Sequence, residues 1–282
     1  MSVLVVGASG AVGGAVVEGL VGQGVDVRAA SRRPERLQLP SQVSAVAADL
    51  RDPESFRAPL DGVERLFLYA DVDEPEGLVA TIAAAGVRHV VLLSSSAVTF
   101  PGAETDFNGA RFLRVERAVA GAGLEYTFLR PGGFASNAAR WSWGVQRDGL
   151  VPLPHPDAVQ VPVHEQDIAD VAVAALTGDA LLGRAPVLTG PERLTLRQQV
   201  AIIADVVGRP VRVLEQTEAE ASAMLSEHVP AVWVEQIIAD WRRAVGTTPA
   251  VSDEYRAITG RSPRTFRQWV VDHARLFTAA AR

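Results

Sequence analysis

Met1-Ser2-Val3-Leu4-Val5-Val6-Gly7-Ala8-Ser9-Gly10-Ala11-Val12-Gly13 is the stretch whose reading decides the fold. Four consecutive apolar residues, 3–6, predict a strand covered on both faces, and the stretch carries no basic region that would make it a signal peptide. Glycines at 7, 10 and 13 mark a tight turn into a helix expected over residues 11–21. A loop between a strand and a helix aims backbone N–H groups and the positive end of the helix dipole at an anion. Gly7, Ser9, Gly10, Ala11, Val12 and Gly13 are therefore expected to cradle the pyrophosphate of a dinucleotide. A serine-hydrolase elbow, Gly-x-Ser-x-Gly, would need glycine at position 11; the residue is Ala11, and that reading fails.

Outward from this loop, as far as residue 129, short β-branched runs alternate with alanine-rich stretches, the pattern of parallel strands joined by crossover helices. Six strands are expected, at residues 3–6, 25–29, 43–47, 65–69, 89–93 and 126–129. Helices are expected at 11–21, 53–58, 75–85 and 108–120, with Gly24, Gly86 and Gly123 where helix C-terminal turns favour glycine. After Arg130-Pro131-Gly132-Gly133 the rhythm changes to longer helices, at 165–176, 196–207, 231–244 and 264–276, divided by proline-bearing loops such as Val151-Pro152-Leu153-Pro154-His155-Pro156. The fold class expected is α/β, a Rossmann-type doubly wound parallel sheet with a small C-terminal α/β substrate lobe. The nucleotide-binding domain is expected over 1–150 and a mainly helical substrate or partner lobe packed on it over 151–282, the two separate or continuous.

Composition excludes several function classes. With 282 residues, 48% of them hydrophobic, the chain is long enough for such a core. A net charge of −6 argues against nucleic-acid binding by phosphate neutralisation, which needs a concentrated basic face. No cysteine occurs, so disulfides, thiolate catalysis and cysteine-bound metal are ruled out. All 27 basic residues are arginine, so no step can be assigned to a lysine. No stretch has the apolar length of a membrane span, and the cytoplasm is the expected location. Metal binding is not expected: His164 precedes Glu165, but the metalloprotease spacing would require histidine at 168, where the residue is Ile168. His164 reads as a loop or capping residue, and Asp167 as an acid in the first turn of a helix.

The second strand runs into Ala30-Ser31-Arg32-Arg33-Pro34, where an NAD-preferring domain carries an acid for the ribose hydroxyls. Two arginines stand there instead. A guanidinium pairs with a 2′-phosphate and stacks on adenine, so Ser31 and Arg32 point to NADP(H). Asp49 and Leu50, after the third strand, are placed to meet the adenine edge, although an acid in such a loop also serves as a helix cap. Tyr69 ends the fourth strand, where open α/β sheets bind ligands, and is a candidate proton donor or a packing residue; Ala70 follows it on the cofactor side.

These residues resemble the short-chain dehydrogenase/reductase superfamily, in particular its atypical NmrA-like branch of NAD(P)H-binding proteins. The resemblance is carried by the glycine loop, by Ser31-Arg32-Arg33-Pro34, by Glu125-Tyr126-Thr127-Phe128-Leu129-Arg130-Pro131-Gly132-Gly133-Phe134 and by His164-Glu165-Gln166-Asp167-Ile168-Ala169-Asp170. It continues through Leu188-Thr189-Gly190-Pro191-Glu192 and Thr259-Gly260-Arg261-Ser262-Pro263-Arg264-Thr265-Phe266. It implies a Rossmann fold with a small α/β cap, NADP(H) in the crevice, and a role either as a quinone-type reductase or as a redox-sensing regulator. It also implies cofactor contacts from Ser94, Arg111, Pro131, Gly132, Gly133 and Phe134.

The sequence departs from the superfamily at the catalytic dyad. Superfamily reductases use a serine and then Tyr-x-x-x-Lys, the tyrosine giving a proton to the carbonyl oxygen. Ser94-Ser95-Ser96 ends the fifth strand as that serine does, and Ser95 is the candidate here. The segment at the dyad's distance reads Phe107-Asn108-Gly109-Ala110-Arg111. Phenylalanine has no proton to give, and arginine stays protonated, able to hold a ribose hydroxyl but not to titrate as lysine does. A quinone-like acceptor tolerates this, because its phenolate-type product, with a pKa around 10, takes its proton from water, whereas a ketone would yield an alkoxide. Phe107, Phe134, Asn137 and Trp141 are expected to line an aromatic acceptor pocket, with Trp143 nearby, or else to be core or dimer-interface residues.

Three functions follow: an NADPH-dependent reductase of a conjugated or aromatic, quinone-like or polyketide-derived acceptor; a non-catalytic NADP(H) sensor; or a redox-neutral enzyme on the same fold. Ser95, Tyr69 and Arg111 are the catalytic candidates. The expected partner is a small molecule, with neither nucleic acid nor membrane, and the chain acts as a monomer or homodimer.

Overall fold

The structure, a computed structural model, describes residues 1–72, 74–227 and 229–278. In chain order its elements are β1 (Ser2–Val6), α1 (Ala11–Val21), β2 (Asp26–Ser31), β3 (Ser44–Ala47), β4 (Arg65–Tyr69), α2 (Pro75–Ala84), β5 (His89–Leu93), α3 (Phe107–Gly121) and β6 (Glu125–Pro131). They continue as α4 (Ser142–Arg147), β7 (Leu150–Leu153), β8 (Val159–Gln160), α5 (Glu165–Thr177), β9 (Val187–Leu188), β10 (Leu194–Thr195) and α6 (Leu196–Val207). The last are β11 (Arg212–Glu215), α7 (Glu218–Ser226), α8 (Ala231–Ala244), α9 (Glu254–Thr259) and α10 (Phe266–Asp272).

The described residues form two compact units. The first lies within Met1–Gly132, Glu165–Leu188 and Asp253–Arg261, the second within Gly133–His164, Thr189–Ser252 and Ser262–Arg282. This differs from a single cut at residue 150. The helix expected at 165–176 belongs to the first unit as α5, because nearly every face of it is apolar: Ile168, Ala169, Val171, Ala172, Ala175 and Leu176 are fully buried. It lies against α1 so closely that a Cβ on Gly19 would stand 2.8 Å from Val173 Cγ2.

The first unit is built on a seven-stranded parallel sheet in the order β3-β2-β1-β4-β5-β6-β9. Its strands are short β-branched and leucine runs with both faces covered: Leu4, Leu66, Leu68, Val90 and Leu92 are fully buried, with Phe56, Leu60 and Ile82 packed among them. Each such side chain contributes about 1.5–3 kcal/mol when withdrawn from water. Strand order reverses direction between β1 and β4, and at that switch point the C-terminal ends of the strands leave a crevice. The two-residue β9 was not expected from the sequence, and the helix expected at 53–58 is a 3₁₀ turn, Pro53–Phe56, capped by Asp52.

The second unit pairs β7 with β11 in parallel and β8 with β10 antiparallel. Trp141, Val151, Leu153, Ile203, Trp241, Phe266, Trp269 and Phe277 form its core. Thr195 and Gln198 make a reciprocal capping box that starts α6, and Gly208, left-handed at φ 67°, ends it. The helix expected at 264–276 is α10 followed by a 3₁₀ turn, Ala274–Leu276.

Candidate cofactor and active site

The crevice begins at the glycine loop. Gly7 leaves β1 at φ 77°, a left-handed conformation that disfavours any side chain, and a Cβ there would also stand 2.8 Å from Tyr69 Cε1. Gly13 permits the return of the chain: a Cβ on it would lie 2.2 Å from Gly7 O. The Gly10 N–H donates to Gly7 O at 2.9 Å and the Gly14 N–H to Gly10 O at 2.8 Å. Gly10, the N-cap of α1, offers no side chain to the first-turn N–H groups. An uncapped helix start behind a close-packed glycine turn is what a pyrophosphate needs, since it supplies the missing acceptors.

The loop opens into a cavity of about 560 Å³ walled by the ends of β1, β2, β3 and β4. Gly7, Ser9, Ser31, Arg32, Asp49, Leu50 and Tyr69, all expected at the cofactor site or as catalytic candidates, line it. So do Arg33, Arg36, Arg51 and Asp71, of which the last three were not singled out in the sequence. The Ser31 Oγ accepts the Arg33 N–H at 3.2 Å, fixing the turn that presents the first two arginines. Asp49 takes the Arg51 N–H on its carboxylate at 3.1 Å, so that group orders its own loop as well as facing the cavity, while capping falls to Asp52. The Tyr69 ring packs on Gly7 and forms one wall.

Parallel register sets the rest of the crevice side by side. Tyr69 pairs with Leu93, and Leu93 with Leu129, so Ala70, Ser94 and Ser95, and Arg130-Pro131 leave adjacent strands together. The Ala70 N–H donates to Leu93 O and the Ser94 N–H to Leu129 O, at 3.3 and 2.8 Å. The two serines have different tasks. Ser94 is buried and its hydroxyl donates to Glu116 Oε1 at 2.6 Å, while Glu116 takes both Arg130 Nε and Nη2, at 3.0 and 2.6 Å. This network ties β5, β6 and α3 together. Ser95 is half-buried, and its Oγ accepts the Ala97 N–H at 3.2 Å, which leaves the hydroxyl hydrogen for another acceptor. Glu116 was missed in the sequence, although Phe112, Val115 and Val119 mark the inward stripe of α3 and place it beside them.

Helix α3 is capped by Asp106, which accepts the N–H groups of Asn108 and Gly109 at 3.0 Å each. Gly109 is required there, because a Cβ would stand 2.4 Å from Ala103 O. Phe107 and Arg111, four residues apart, share one face of this first turn. Phe107 is 42% exposed. Arg111 pairs with Asp71, and partial burial holds its guanidinium below the usual arginine range.

Gly132 remains in the first unit, its N–H donating to Leu188 O at 2.9 Å. Gly133, Phe134, Asn137 and Trp141 fall in the second. Phe134 is half-buried and bridged to Val163, and the exposed Asn137 accepts from Arg140 Nη2 at 3.0 Å. Trp141 is a core residue of that unit, 7% exposed, whereas Trp143 is exposed with the Arg147 guanidinium 3.7 Å above its ring. His164 is buried, with Nε2 3.4 Å from Asp272 Oδ2, and Asp167 is buried in the first turn of α5. No cluster able to hold a metal ion occurs among the described residues, and none of their helices is long and apolar enough to cross a membrane.

Residues 7–179 match the protein family described as NAD(P)H-binding. The chain is 40% identical over 280 residues to the (4-alkanoyl-5-oxo-2,5-dihydrofuran-3-yl)methyl phosphate reductase of Streptomyces griseus subsp. griseus, a match covering 98% of this chain and 99% of that one. It is 29% identical to the NAD(P)H azoreductase of Xenophilus azovorans, over 99% and 100% of the two chains. Among solved structures, the NADPH-dependent quinone oxidoreductase of Escherichia coli shares the fold with a TM-score of 0.81 at 22% identity, covering 97% of this chain and 99% of that one. The triphenylmethane reductase of Citrobacter sp. does so at 0.82 and 20%, again over 97% and 99%. With the glycine loop, the switch-point cavity and these matches in agreement, the chain belongs to the NAD(P)H-binding family and is an oxidoreductase.

Proposed function

We propose that the protein is an NADPH-dependent reductase of a carbon–carbon double bond conjugated to carbonyl groups, in a small cytoplasmic substrate of the acyl-butenolide phosphate class. What supports this reading is the first turn of α3, which carries Phe107 and Arg111 at the spacing that the resemblance gives to tyrosine and lysine, in a chain without any lysine. The 40% identical relative supports it, since the compound in that protein's name has its ring double bond conjugated to both a lactone and an alkanoyl carbonyl. Quinone-like acceptors belong to the same chemical class.

Gly7 to Gly13 and the start of α1 would hold the pyrophosphate of NADPH, Arg32 and Arg33 its 2′-phosphate, and the Asp49-Leu50 wall its adenine. Bound NADPH supplies a hydride. Hydride addition to the double bond leaves negative charge spread over two carbonyl oxygens, a product basic enough to take a proton from water and too weakly basic to need a tuned acid. Ser95, with a hydroxyl hydrogen to spare, would donate to one of these oxygens, and Arg111 would hold a ribose hydroxyl while Asp71 fixes its guanidinium. Tyr69 serves as the wall against Gly7.

The test is NADPH consumption with three acceptors, an acyl-butenolide phosphate, a quinone and a saturated ketone. Turnover of the conjugated acceptors without turnover of the ketone is the expected result. Tight NADPH binding with no turnover of any acceptor would instead identify a sensor, and conversion of the butenolide without NADPH consumption a redox-neutral enzyme.

A further inference from the structure

Most arginines of this protein are spoken for. Among the described residues, six guanidiniums have neither a hydrogen-bond acceptor nor an acidic partner: Arg32, Arg33, Arg36, Arg51, Arg212 and Arg275. Four of these six line the same cavity, and they come from two separate loops. Arg32, Arg33 and Arg36 lie on the turn after β2, where the 3₁₀ segment Pro34–Arg36 is closed by the Arg36 N–H on Arg33 O at 3.1 Å. Arg51 comes from the other loop, after β3.

The Arg51 loop is wired by its own hydrogen bonds. The Asp49 N–H donates to Ser55 Oγ at 3.0 Å, Ser55 Oγ donates to Asp52 O at 2.6 Å, and the Arg51 N–H donates to Asp49 Oδ1 at 3.1 Å. An arginine presented by an ordered loop loses less entropy on pairing than one on a floppy tail. The two carboxylates that line the cavity offset only part of the cluster, since Asp71 is engaged by Arg111 and Asp49 alone faces four guanidiniums. Like charges gathered in excess of their counter-ions repel one another, so a cavity that assembles four of them is built for an anion. One ribose hydroxyl pair gives no reason for such a cluster, whereas a dianionic phosphate does.

We propose that Arg36 and Arg51 are specificity-determining residues that close on the 2′-phosphate of NADP(H) from two sides, so that selection of the phosphorylated cofactor is shared between the loops after β2 and β3. This rests on the NADP(H) reading above and adds a second wall to it.

The probes are 2′,5′-ADP and 5′-AMP, which differ at the 2′-phosphate, titrated calorimetrically into the full chain. Arg36→Ala and Arg51→Ala are each expected to weaken 2′,5′-ADP about 10-fold, and the double variant about 100-fold, the scale of charge-assisted hydrogen bonds. Binding of 5′-AMP should change less than about 2-fold in every case, within the ordinary effect of a surface substitution. Arg275→Ala, at an arginine that does not line the cavity, should leave both probes unchanged. Unchanged 2′,5′-ADP affinity in Arg51→Ala and Arg36→Ala, in a protein whose wild type still prefers 2′,5′-ADP and loses that preference in Arg32→Ala, would overturn the two-sided clamp alone. A wild type that binds the two probes equally would overturn the NADP(H) reading beneath it. Equal losses for both probes would also contradict the clamp, since they would place these arginines on the common adenosine.

Discussion

Strand β4 has arginine chemistry at both ends, and the ends are opposites. At its start, Arg65 is 4% exposed and donates to Ala175 O and Gly178 O at 3.0 and 2.7 Å while pairing with Asp179. His89, its neighbour on β5, is fully buried, with Nε2 3.0 Å from Thr127 Oγ1. Past the other end lie Arg32, Arg33, Arg36 and Arg51, exposed around a cavity and without internal partners. A guanidinium whose two terminal nitrogens are paired inside the protein, as those of Arg65 are although its buried Nε is not, contributes to folding. One that the fold presents unsatisfied contributes to binding, because its partner has yet to arrive.

The largest test of this contrast removes the buried cation. Arg65→Ala removes the donor to the buried Ala175 O and the partly buried Gly178 O and should cost about 3 kcal/mol of stability. NADPH affinity of the folded protein should not change. A variant that kept its stability and lost cofactor binding would reverse the assignment of the two ends.

The opposite substitution should have the opposite signature. Arg32→Ala is expected to weaken NADPH by about 2 kcal/mol, roughly 30-fold, with NADH nearly unaffected and stability within about 0.5 kcal/mol of wild type. Calorimetric titration of both cofactors reads this directly. Equal losses for NADPH and NADH would break the link between this loop and the 2′-phosphate.

A smaller effect appears on acidification. Burial pushes His89 down to about 4, and the charges of Arg65 and Arg88 push in the same direction against Asp179. Because the native imidazole resists protonation, its contribution is fully present above pH 6.5. It is lost as pH falls towards 4, where the unfolded chain binds a proton that the native state does not. At pH 5.5 the loss amounts to about 1.4 kcal/mol. Urea unfolding at pH 7 and pH 5.5 should show this difference, and His89→Gln should reduce it. The same pH dependence in wild type and variant would assign the acid sensitivity elsewhere.

The sheet was legible because its signals are local. Runs such as Val3-Leu4-Val5-Val6 and His89-Val90-Val91-Leu92-Leu93 are apolar and bounded by glycine or polar turns, and they became β1 and β5 with shifts of a residue or none. The glycine loop was legible for the same reason, since Gly7 turns at a left-handed φ and Gly13 must clear Gly7 O six residues back, although the Tyr69 ring that also crowds Gly7 is distant in sequence. What escaped depends on partners distant in sequence. Val187–Leu188 is too short to show a period and becomes a strand only because Arg130-Pro131 lies beside it. The passage of α5 to the first unit follows from its fit to α1, more than 140 residues away. Glu116 reads as one charge among several until Ser94 and Arg130 meet on it, and Arg51 as one more loop arginine until the turn after β3 brings it to the cavity that Arg36 also lines.

The central claim is reduction of a conjugated acceptor without a tuned proton donor. It is tested most directly by steady-state NADPH oxidation with an acyl-butenolide phosphate, in wild type and in Tyr69→Phe. The account predicts one NADPH consumed per double bond reduced, and a loss in the variant smaller than about 10-fold, well below the roughly 10²–10⁴-fold that a general acid contributes. Abolished turnover in Tyr69→Phe with cofactor binding intact, or reduction of a saturated ketone as fast as of the butenolide, would contradict it.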